Sequence, residues 1–218
     1  MTDAAYAYKF LTQPEVKFLE AAVERLIPAD HLGPGARDAG VACFIDGQLA
    51  SPWGLHGRQY RAGPWQEGTP EQGFQSPLTP QEIYRTGMRE IDQHCRDEHA
   101  KAFPFLGASL QDLLLREMEN DALALPSLSS ALFFSLLLRN TMEGFFADPL
   151  YGGNRDKAGW RLIGFPGVAA ANYTEELDRH NQPYLVEPVS ILDIEQQRAQ
   201  VDAQGYAKHI RLRVEPKS

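Results

Sequence analysis

Cysteine is scarce in this 218-residue chain, where only Cys43 and Cys95 occur. Two cysteines this far apart do not form a metal knuckle or a C-x-x-C redox pair, and they are too few to hold an iron–sulfur cluster. They are either two free thiols or one disulfide. A disulfide would enclose about 50 residues and stabilise the fold by about 4 kcal/mol in an oxidising compartment.

Long apolar runs and an excess of positive charge are also missing. The longest apolar run, Ala131 to Leu138, is interrupted by Ser135, whereas a membrane-spanning helix needs about 20 mostly apolar residues. Met1 to Tyr8 shows neither a basic start nor an apolar stretch, so no export signal is visible. The 21 basic and 29 acidic residues give a net charge of −8, which disfavours nucleic acids and anionic membrane surfaces as partners.

Catalytic sequence motifs are absent as well. The chain has no dinucleotide-binding G-x-G-x-x-G after a strand, no phosphate-binding G-x-x-x-x-G-K-[ST], no nucleophile elbow, no H-E-x-x-H and no C-x-x-C-H for haem. We therefore predict no catalytic, cofactor-binding or metal-ligating residue. Glu143 lies among apolar residues, and we expect it to accept hydrogen bonds from backbone N–H groups near Gly152 and Gly153.

The 43% hydrophobic and 10% aromatic content is sufficient for a core, and the patterning predicts a mainly α fold. We expect one irregular helical domain over residues 1–218 with long loops rich in glycine, proline and aromatics. Two helices open with capping boxes: Thr12 to Glu15 starts a helix that ends near Ile27, and Thr79 to Glu82 starts one that runs to about Ala100.

Further elements are predicted from weaker patterns. A second helix is expected over Asp38 to Leu49, and Ser109 and Ser127 are candidate caps of two later helices. The helix after Ser127 is apolar almost all round and should be central. Val186 to Ile191 is expected to form a short strand.

A long irregular segment, Ala50 to Pro80, contains five glycines and five prolines. Loops of this length are unusual inside a domain unless they bind something. The segment contains four large aromatic side chains that can cover the core or a partner, namely Trp53, Tyr60, Trp65 and Phe74.

A second unusual segment runs from Tyr151 to Gly167 and alternates tight glycine turns with large aromatic residues. Gly152 and Gly153 are free to adopt positive φ, and Asn154 can adopt it or bond to local backbone. The turns either cover this protein's own core or pack closely against another protein, and the residues by themselves favour neither.

The same residues resemble a known family. Asp148-Pro-Leu-Tyr-Gly-Gly-Asn154, Gly159-Trp160 and Ile163-Gly-Phe-Pro-Gly167 are similar to the pattern of gluconate 2-dehydrogenase subunit 3. Upstream, Leu26-Ile-Pro-Ala-Asp30 and Gly33-Pro-Gly35-Ala36 follow the same order. The resemblance covers about residues 10–167, and residues 168–218 form a carboxyl-terminal extension.

This resemblance implies a small subunit of a membrane-associated, periplasmic sugar or sugar-acid dehydrogenase. In the family, a large FAD-bearing subunit oxidises the substrate and a multihaem cytochrome c subunit carries the electrons away. The small subunit has no redox centre of its own. It is expected to bind the flavoprotein, stabilise it and assist its maturation and twin-arginine export.

We expect the partner to contact large aromatic side chains, arginines and the asparagine of the glycine turn. Most of the binding free energy of an interface comes from aromatic and arginine side chains. The predicted contact residues are Trp53, Trp65, Tyr151, Asn154, Arg155, Trp160 and Arg161. Two alternatives remain. The chain either contributes Glu143, Asn154 or Asp156 to an active site, or it is a free-standing helical binding protein.

Overall fold

The chain folds into α-helices joined by turns and single-turn 3-10 helices. The structure is a computed structural model, and it describes residues 6–55, 63–65, 68–69, 76–168, 181 and 183–212. Within these residues seven α-helices occur: α1 (Gln13–Leu26), α2 (Val41–Leu49), α3 (Pro80–His99), α4 (Ala108–Glu119), α5 (Ser130–Phe146), α6 (Ala158–Ile163) and α7 (Ile191–Glu195). The same residues contain isolated β-bridges but no sheet, so the predicted mainly α fold is confirmed.

The two capping boxes start helices as predicted. The Glu15 carboxylate accepts a hydrogen bond from the Thr12 N–H at 2.7 Å, and the Glu82 carboxylate accepts one from the Thr79 N–H at 2.7 Å. These bonds satisfy backbone donors that a helix start leaves without partners. No helix among the described residues is both long enough and apolar enough to cross a membrane.

Helix α5 is central, as predicted, because it packs against α1, α2, α3, α4 and α6. The sequence pattern did not indicate which side of α5 faces the core. Phe133, Leu137 and Phe145 are buried, whereas Leu138 and Met142 are 36% and 45% exposed. A helix that is apolar almost all round has no polar stripe to indicate its outer face.

An aromatic cluster joins α1, α3 and α5. The Phe18 ring lies 4.7 Å from the Phe103 ring and 6.1 Å from the Phe133 ring, and Tyr84 lies 5.8 Å from Phe133. Gly87 of α3 leaves room for Phe133, since a Cβ there would overlap that ring. These contacts hold the helical bundle on which the later turns rest.

Two predicted helix starts are wrong by a few residues. Helix α2 begins at Val41 and not at Asp38, because Gly40 is in the left-handed region with φ of 76° and breaks the helix there. Helix α4 is preceded by Gly107, so Ser109 lies inside its first turn and does not cap it.

The start of α5 was also placed at the wrong serine. Ser129 is the cap, and its hydroxyl accepts from the Leu132 N–H at 3.2 Å. Asp121 holds Ser129 in the capping position, because the Asp121 carboxylate accepts a hydrogen bond from the Ser129 hydroxyl at 2.8 Å. Ser127 instead donates its backbone N–H to Glu90 at 3.1 Å.

The strand predicted over Val186 to Ile191 does not form. Val186 and Val189 make isolated bridges with Arg211 and Gly167. A capping box at Ser190 then opens α7, which ends any extended conformation.

Both cysteines are buried and unpaired, which decides between the two possibilities left by the sequence. Burial raises the pKa of the Cys95 thiol to about 12. A thiol with such a pKa stays protonated and is a poor nucleophile near neutral pH. Cys95 faces the core from α3.

A fully buried carboxylate fastens the amino-terminal segment to α2. Asp46 accepts hydrogen bonds from the backbone N–H groups of Lys9, Phe10 and Leu11 at 2.8 to 2.9 Å, and from the Tyr6 hydroxyl at 3.0 Å. The charge of Asp46 is thus compensated by four donors, as a buried carboxylate requires.

Replacing this carboxylate should destabilise the fold. We expect Asp46→Ala to lower the free energy of unfolding by about 3 kcal/mol, because it leaves buried donors without an acceptor. Asp38→Ala is the control, since Asp38 is exposed and its pair with Arg37 spans 3.6 Å. Urea denaturation checks both variants, and equal midpoints would contradict the role given to Asp46.

Candidate functional site

The candidate site is the turn between α5 and α6, which contains the glycine-rich segment singled out in the sequence. After α5 the Asp148 carboxylate caps a 3-10 helix, Pro149–Tyr151, by accepting from the Leu150 N–H at 2.9 Å. Gly152 then takes a φ of 93°, which reverses the chain. Glycine suits this position because it has no Cβ to clash.

Asn154 joins the two helices that flank the turn. Its side-chain amide donates to the Ala147 carbonyl at 2.8 Å and accepts from the Gly159 N–H at 2.8 Å, and the residue is 0% exposed. One side chain thereby satisfies a backbone acceptor just beyond α5 and a backbone donor in the first turn of α6. Groups of this kind have no partner within their own helix.

The glycines of the turn allow backbone to pack against backbone. A Cβ on Gly153 would overlap the carbonyl oxygen of Gly144, and one on Gly159 would overlap that of Phe145. A Cβ on Gly144 would lie 2.8 Å from the Phe44 ring. The turn is therefore pressed onto α5 and, through Phe44, onto α2.

Three residues that are not glycine hold left-handed conformations here. The φ angles of Asn154, Asp156 and Lys157 are 47°, 55° and 57°. Such conformations are unfavourable for residues with a Cβ and persist only where the surroundings impose them. The hydrogen bonds of Asn154 and the 2.9 Å bond from the Arg155 N–H to the Ala39 carbonyl provide that constraint.

Trp160 packs inside the protein at the start of α6. It is 5% exposed, its indole N–H donates to the Phe146 carbonyl at 2.7 Å, and its ring contacts Phe165 at a centroid distance of 5.2 Å. The large aromatic surface of this segment thus covers the protein's own core in part.

Residues 183–212 return to the turn and bond to it. The backbone N–H of Val168 donates to the Val189 carbonyl at 2.7 Å, and the Ile191 N–H donates to Asp148 at 2.7 Å. Two ion pairs add to these bonds: Lys157 with Asp193 at 3.0 Å and Arg161 with Glu187 at 2.5 Å. We call residues 183–212 the tail.

A cleft with a volume of about 580 Å³ lies between the turn and the tail. Both segments contribute polar side chains and backbone to its walls. The lining residues are Pro149, Gly152, Gly153, Arg155, Asp156, Lys157, Arg161, Ser190, Leu192, Asp193, Gln196 and Arg198.

Asp193 connects the tail to the cleft. Burial raises the pKa of its carboxyl, but hydrogen bonds from the Ser190 N–H and hydroxyl and from the Lys157 ammonium outweigh burial and lower the pKa to about 2. The carboxylate is therefore ionised at neutral pH and holds Lys157 in place.

The predicted partner contacts are divided between surface and interior. Tyr151 is 56% exposed, Trp65 is 39% exposed, and Arg155 and Arg161 are also exposed. Trp53 is partly buried against the core. Trp65 and Trp53 belong to the segment Ala50 to Pro80, in which Tyr60 and Phe74 lie outside the described residues.

Asn154 and Trp160 are buried and bonded within this chain, so they offer little surface to a partner. Their work in this structure is to hold the turn. We predicted both as partner contacts from the sequence. Large aromatic residues and turn asparagines occur both in protein cores and at interfaces, and the sequence does not distinguish the two.

The expected role of Glu143 is wrong. Its carboxylate bonds to Arg139 at 2.9 Å and to the Asn140 amide at 3.0 Å, so it does not meet the glycine turn. Asn140 in turn accepts from the buried Tyr84 hydroxyl at 2.8 Å. The contact of α5 with Gly153 is made instead by the backbone carbonyl of Gly144.

Sequence reasoning missed an exposed apolar surface beside the turn. Leu162, Ile163 and Phe165 are 46%, 60% and 43% exposed, and Leu185 of the tail is 42% exposed near Gly164. The signal was present in the run from Leu162 to Phe165, which has three large apolar residues in four positions. Together with Tyr151 we call these residues the apolar surface.

The fold and the site define a mainly helical protein that presents a rigid glycine turn, with an apolar surface and a polar cleft beside it. In the described part of the chain no group of three or more histidine, cysteine or acidic side chains is arranged to hold a metal ion. The family model of gluconate 2-dehydrogenase subunit 3 matches residues 13–167, and the chain belongs to that family. No curated protein and no solved structure shows a significant match.

The close backbone contact at Gly153 can be tested by adding one methyl group. We expect Gly153→Ala to lower the free energy of unfolding by about 3 kcal/mol, because the new Cβ overlaps the Gly144 carbonyl. The matched control is Gly107→Ala, where nothing lies within 4 Å of the new Cβ and the change should be below about 1 kcal/mol. Thermal and urea unfolding measure both, and a Gly153→Ala variant as stable as the control would contradict the packing.

The attachment of the tail should weaken in acid. The folded-state pKa of Asp193 is about 2, below the usual aspartate value of about 3.9, so its stabilisation is present above pH 4 and is lost as the pH falls towards 2. The protection factors of the amides of residues 183–200, which correct for the pH dependence of intrinsic exchange, should fall over that interval. In the variant Asp193→Asn, these protection factors should already be low at pH 6 and should no longer depend on pH over this interval. If the variant shows the same profile as the wild type, Asp193 is not the cause.

Proposed function

We propose that this chain is the non-catalytic small subunit of a flavin-dependent gluconate or sugar dehydrogenase. It binds the FAD-bearing large subunit, stabilises it and assists its maturation and export to the periplasm, where a multihaem cytochrome c subunit completes the complex. Membership of the gluconate 2-dehydrogenase subunit 3 family over residues 13–167 supports a place in such a complex.

The apolar surface is the observation that carries the binding role. Exposed apolar side chains gathered beside a rigid segment are typical of a protein interface. Tyr151 and Ile163 are 56% and 60% exposed, and their backbones are held by the short 3-10 helix Pro149–Tyr151 and by α6. A surface that is already ordered loses little conformational entropy when it binds.

The exposed arginines fit the rim of such an interface. Arg161 is bonded to Glu187 and flanks Leu162 on α6, and Arg155 lies at the cleft. Charged groups around an apolar centre steer the encounter and select the partner more than they add affinity. Arg155 and Arg161 therefore keep their proposed place as charged contacts.

The structure favours binding over a catalytic contribution by the residues considered for that role. Asn154 is buried with both ends of its amide in use, and Glu143 is paired with Arg139 and Asn140. Asp156 is exposed at the cleft, but the mechanism of a dehydrogenase would require it to approach the flavin of another subunit.

Co-expression with the large subunit tests the interface. We expect the double variant Tyr151→Ala/Ile163→Ala to reduce the large subunit that co-purifies with this chain by about tenfold or more, because exposed aromatic and aliphatic side chains at an interface centre contribute most of the affinity. Phe105→Ala is the matched control. Phe105 is 62% exposed and lies in a 3-10 helix that packs against α1 and α3.

Unchanged co-purification of the double variant would refute this interface, and no co-purification of the wild-type chain would refute the subunit role. The non-catalytic role has a separate measurement. The purified large subunit should reduce an artificial electron acceptor at the same rate per bound flavin with and without this chain. A loss of the rate per flavin without it would assign the chain a part in the chemistry.

A further inference from the structure

The cleft between the turn and the tail carries positive charge in a protein whose net charge is −8. Two carboxylates also line it, those of Asp156 and Asp193. The lining includes four cationic side chains, namely Arg155, Lys157, Arg161 and Arg198.

Three of these cations are already paired with acidic neighbours. Lys157 and Arg198 both pair with Asp193 at 3.0 Å, and Arg161 pairs with Glu187 at 2.5 Å. Arg155 differs from them, because no carboxylate oxygen of the described residues lies within 4.0 Å of its guanidinium. It is the cation of the cleft that remains available to a ligand.

The position of Arg155 favours the binding of an anion. Its Nη2 atom lies 3.5 Å from the place that a Cβ would occupy on Gly40, the residue that precedes α2. The first residues of a helix carry partial positive charge from unpaired N–H groups, so a cation there is unfavourable by itself. An anion beside Arg155 would relieve that repulsion and interact favourably with both charges.

A backbone donor at the same cleft has no partner. Gly153 is buried and lines the cleft, and its N–H finds no acceptor among the described residues. Buried N–H groups without an acceptor are rare and call for a ligand or water. The N–H cannot be reoriented cheaply, since the backbone of Gly153 is pressed against the Gly144 carbonyl.

We propose that this cleft binds an oxyanion, a phosphate or carboxylate group, through the Arg155 guanidinium and the Gly153 N–H. Guanidinium and backbone N–H groups are the donors that proteins use for both kinds of group. Asp156 and Asp193 limit the positive charge of the cleft, so it accepts one anionic group and disfavours a polyanion. Arg161 and Lys157 shape the wall while they remain paired with the tail.

The full-length chain by itself tests the proposal. It is titrated with inorganic phosphate and, separately, with acetate at constant ionic strength, while the Gly153 amide resonance and the heat of binding are recorded. A hydrogen bond to the anion should move that resonance downfield in a saturable way. Saturation with phosphate alone identifies a phosphate site, and saturation with acetate alone or with both identifies a site that accepts carboxylates.

Arg155→Gln should weaken the binding by about tenfold or more, because one charge-assisted contact is lost. Arg89→Gln removes the same charge from α3 and should bind as the wild type does; Arg89 is exposed and its pair with Glu90 spans 3.5 Å. Both substituted side chains are exposed, so folding is checked by circular dichroism and should be unchanged.

The proposal is overturned if neither anion moves the Gly153 resonance up to about 50 mM, a concentration at which even weak single-contact sites begin to fill. It is also overturned if Arg155→Gln binds as tightly as the wild type. Because no dehydrogenase subunit is present in this experiment, its failure would leave the proposed subunit role untouched.

Discussion

The functional end of this protein depends on the side-chain amide of Asn154. This amide lies between the end of α5 and the start of α6, and it bonds to the Ala147 carbonyl and the Gly159 N–H. Without that bridge, two backbone groups would be buried unpaired where the chain reverses. These two bonds, with the bond from the Arg155 N–H to the Ala39 carbonyl, hold Asn154 in its left-handed conformation.

The apolar surface and the cleft both follow from that reversal. Trp160 packs under α6 because the turn directs it inward, and Leu162 and Ile163 on the same short helix then face outward. The tail lies outside the family-matched residues, yet it contributes Asp193 to the cleft. A turn within the matched region is thus combined with a wall that belongs to a segment beyond it.

The apolar surface and the proposed oxyanion cleft can both act in a binding subunit, because they are formed by different side chains. In the proposed complex, the apolar surface supplies affinity through Tyr151 and Ile163, whose apolar atoms require no hydrogen bonds. The cleft supplies a charge-dependent contact through Arg155 and Gly153. An anion in the cleft would change the charge next to the interface without altering its apolar part.

Sequence reasoning succeeded where a local pattern has one physical solution. The capping boxes at Thr12 and Thr79 specified helix starts, because hydroxyl and carboxylate satisfy local backbone groups wherever the helix lies. It could assign no inner face to α5, whose apolar residues surround the helix, and it failed for Glu143, whose partners lie on its own helix. Trp160 was predicted as a partner contact, since the sequence does not show whether an aromatic side chain packs against the core or lies at the surface.

The sequence by itself determined the helical class, the starts of α1 and α3 and the family, since these rest on spacing and on short motifs such as the capping boxes and the glycine turn. The tertiary structure decided which side chains of that turn remain outside. Contacts between residues far apart in the chain bury Asn154 and Trp160 and leave Tyr151 and Ile163 exposed. The same contacts leave Arg155 without a carboxylate partner among the described residues. Such contacts arise only when α5, the turn and the tail pack together, because burial and ion pairing are properties of the packed chain.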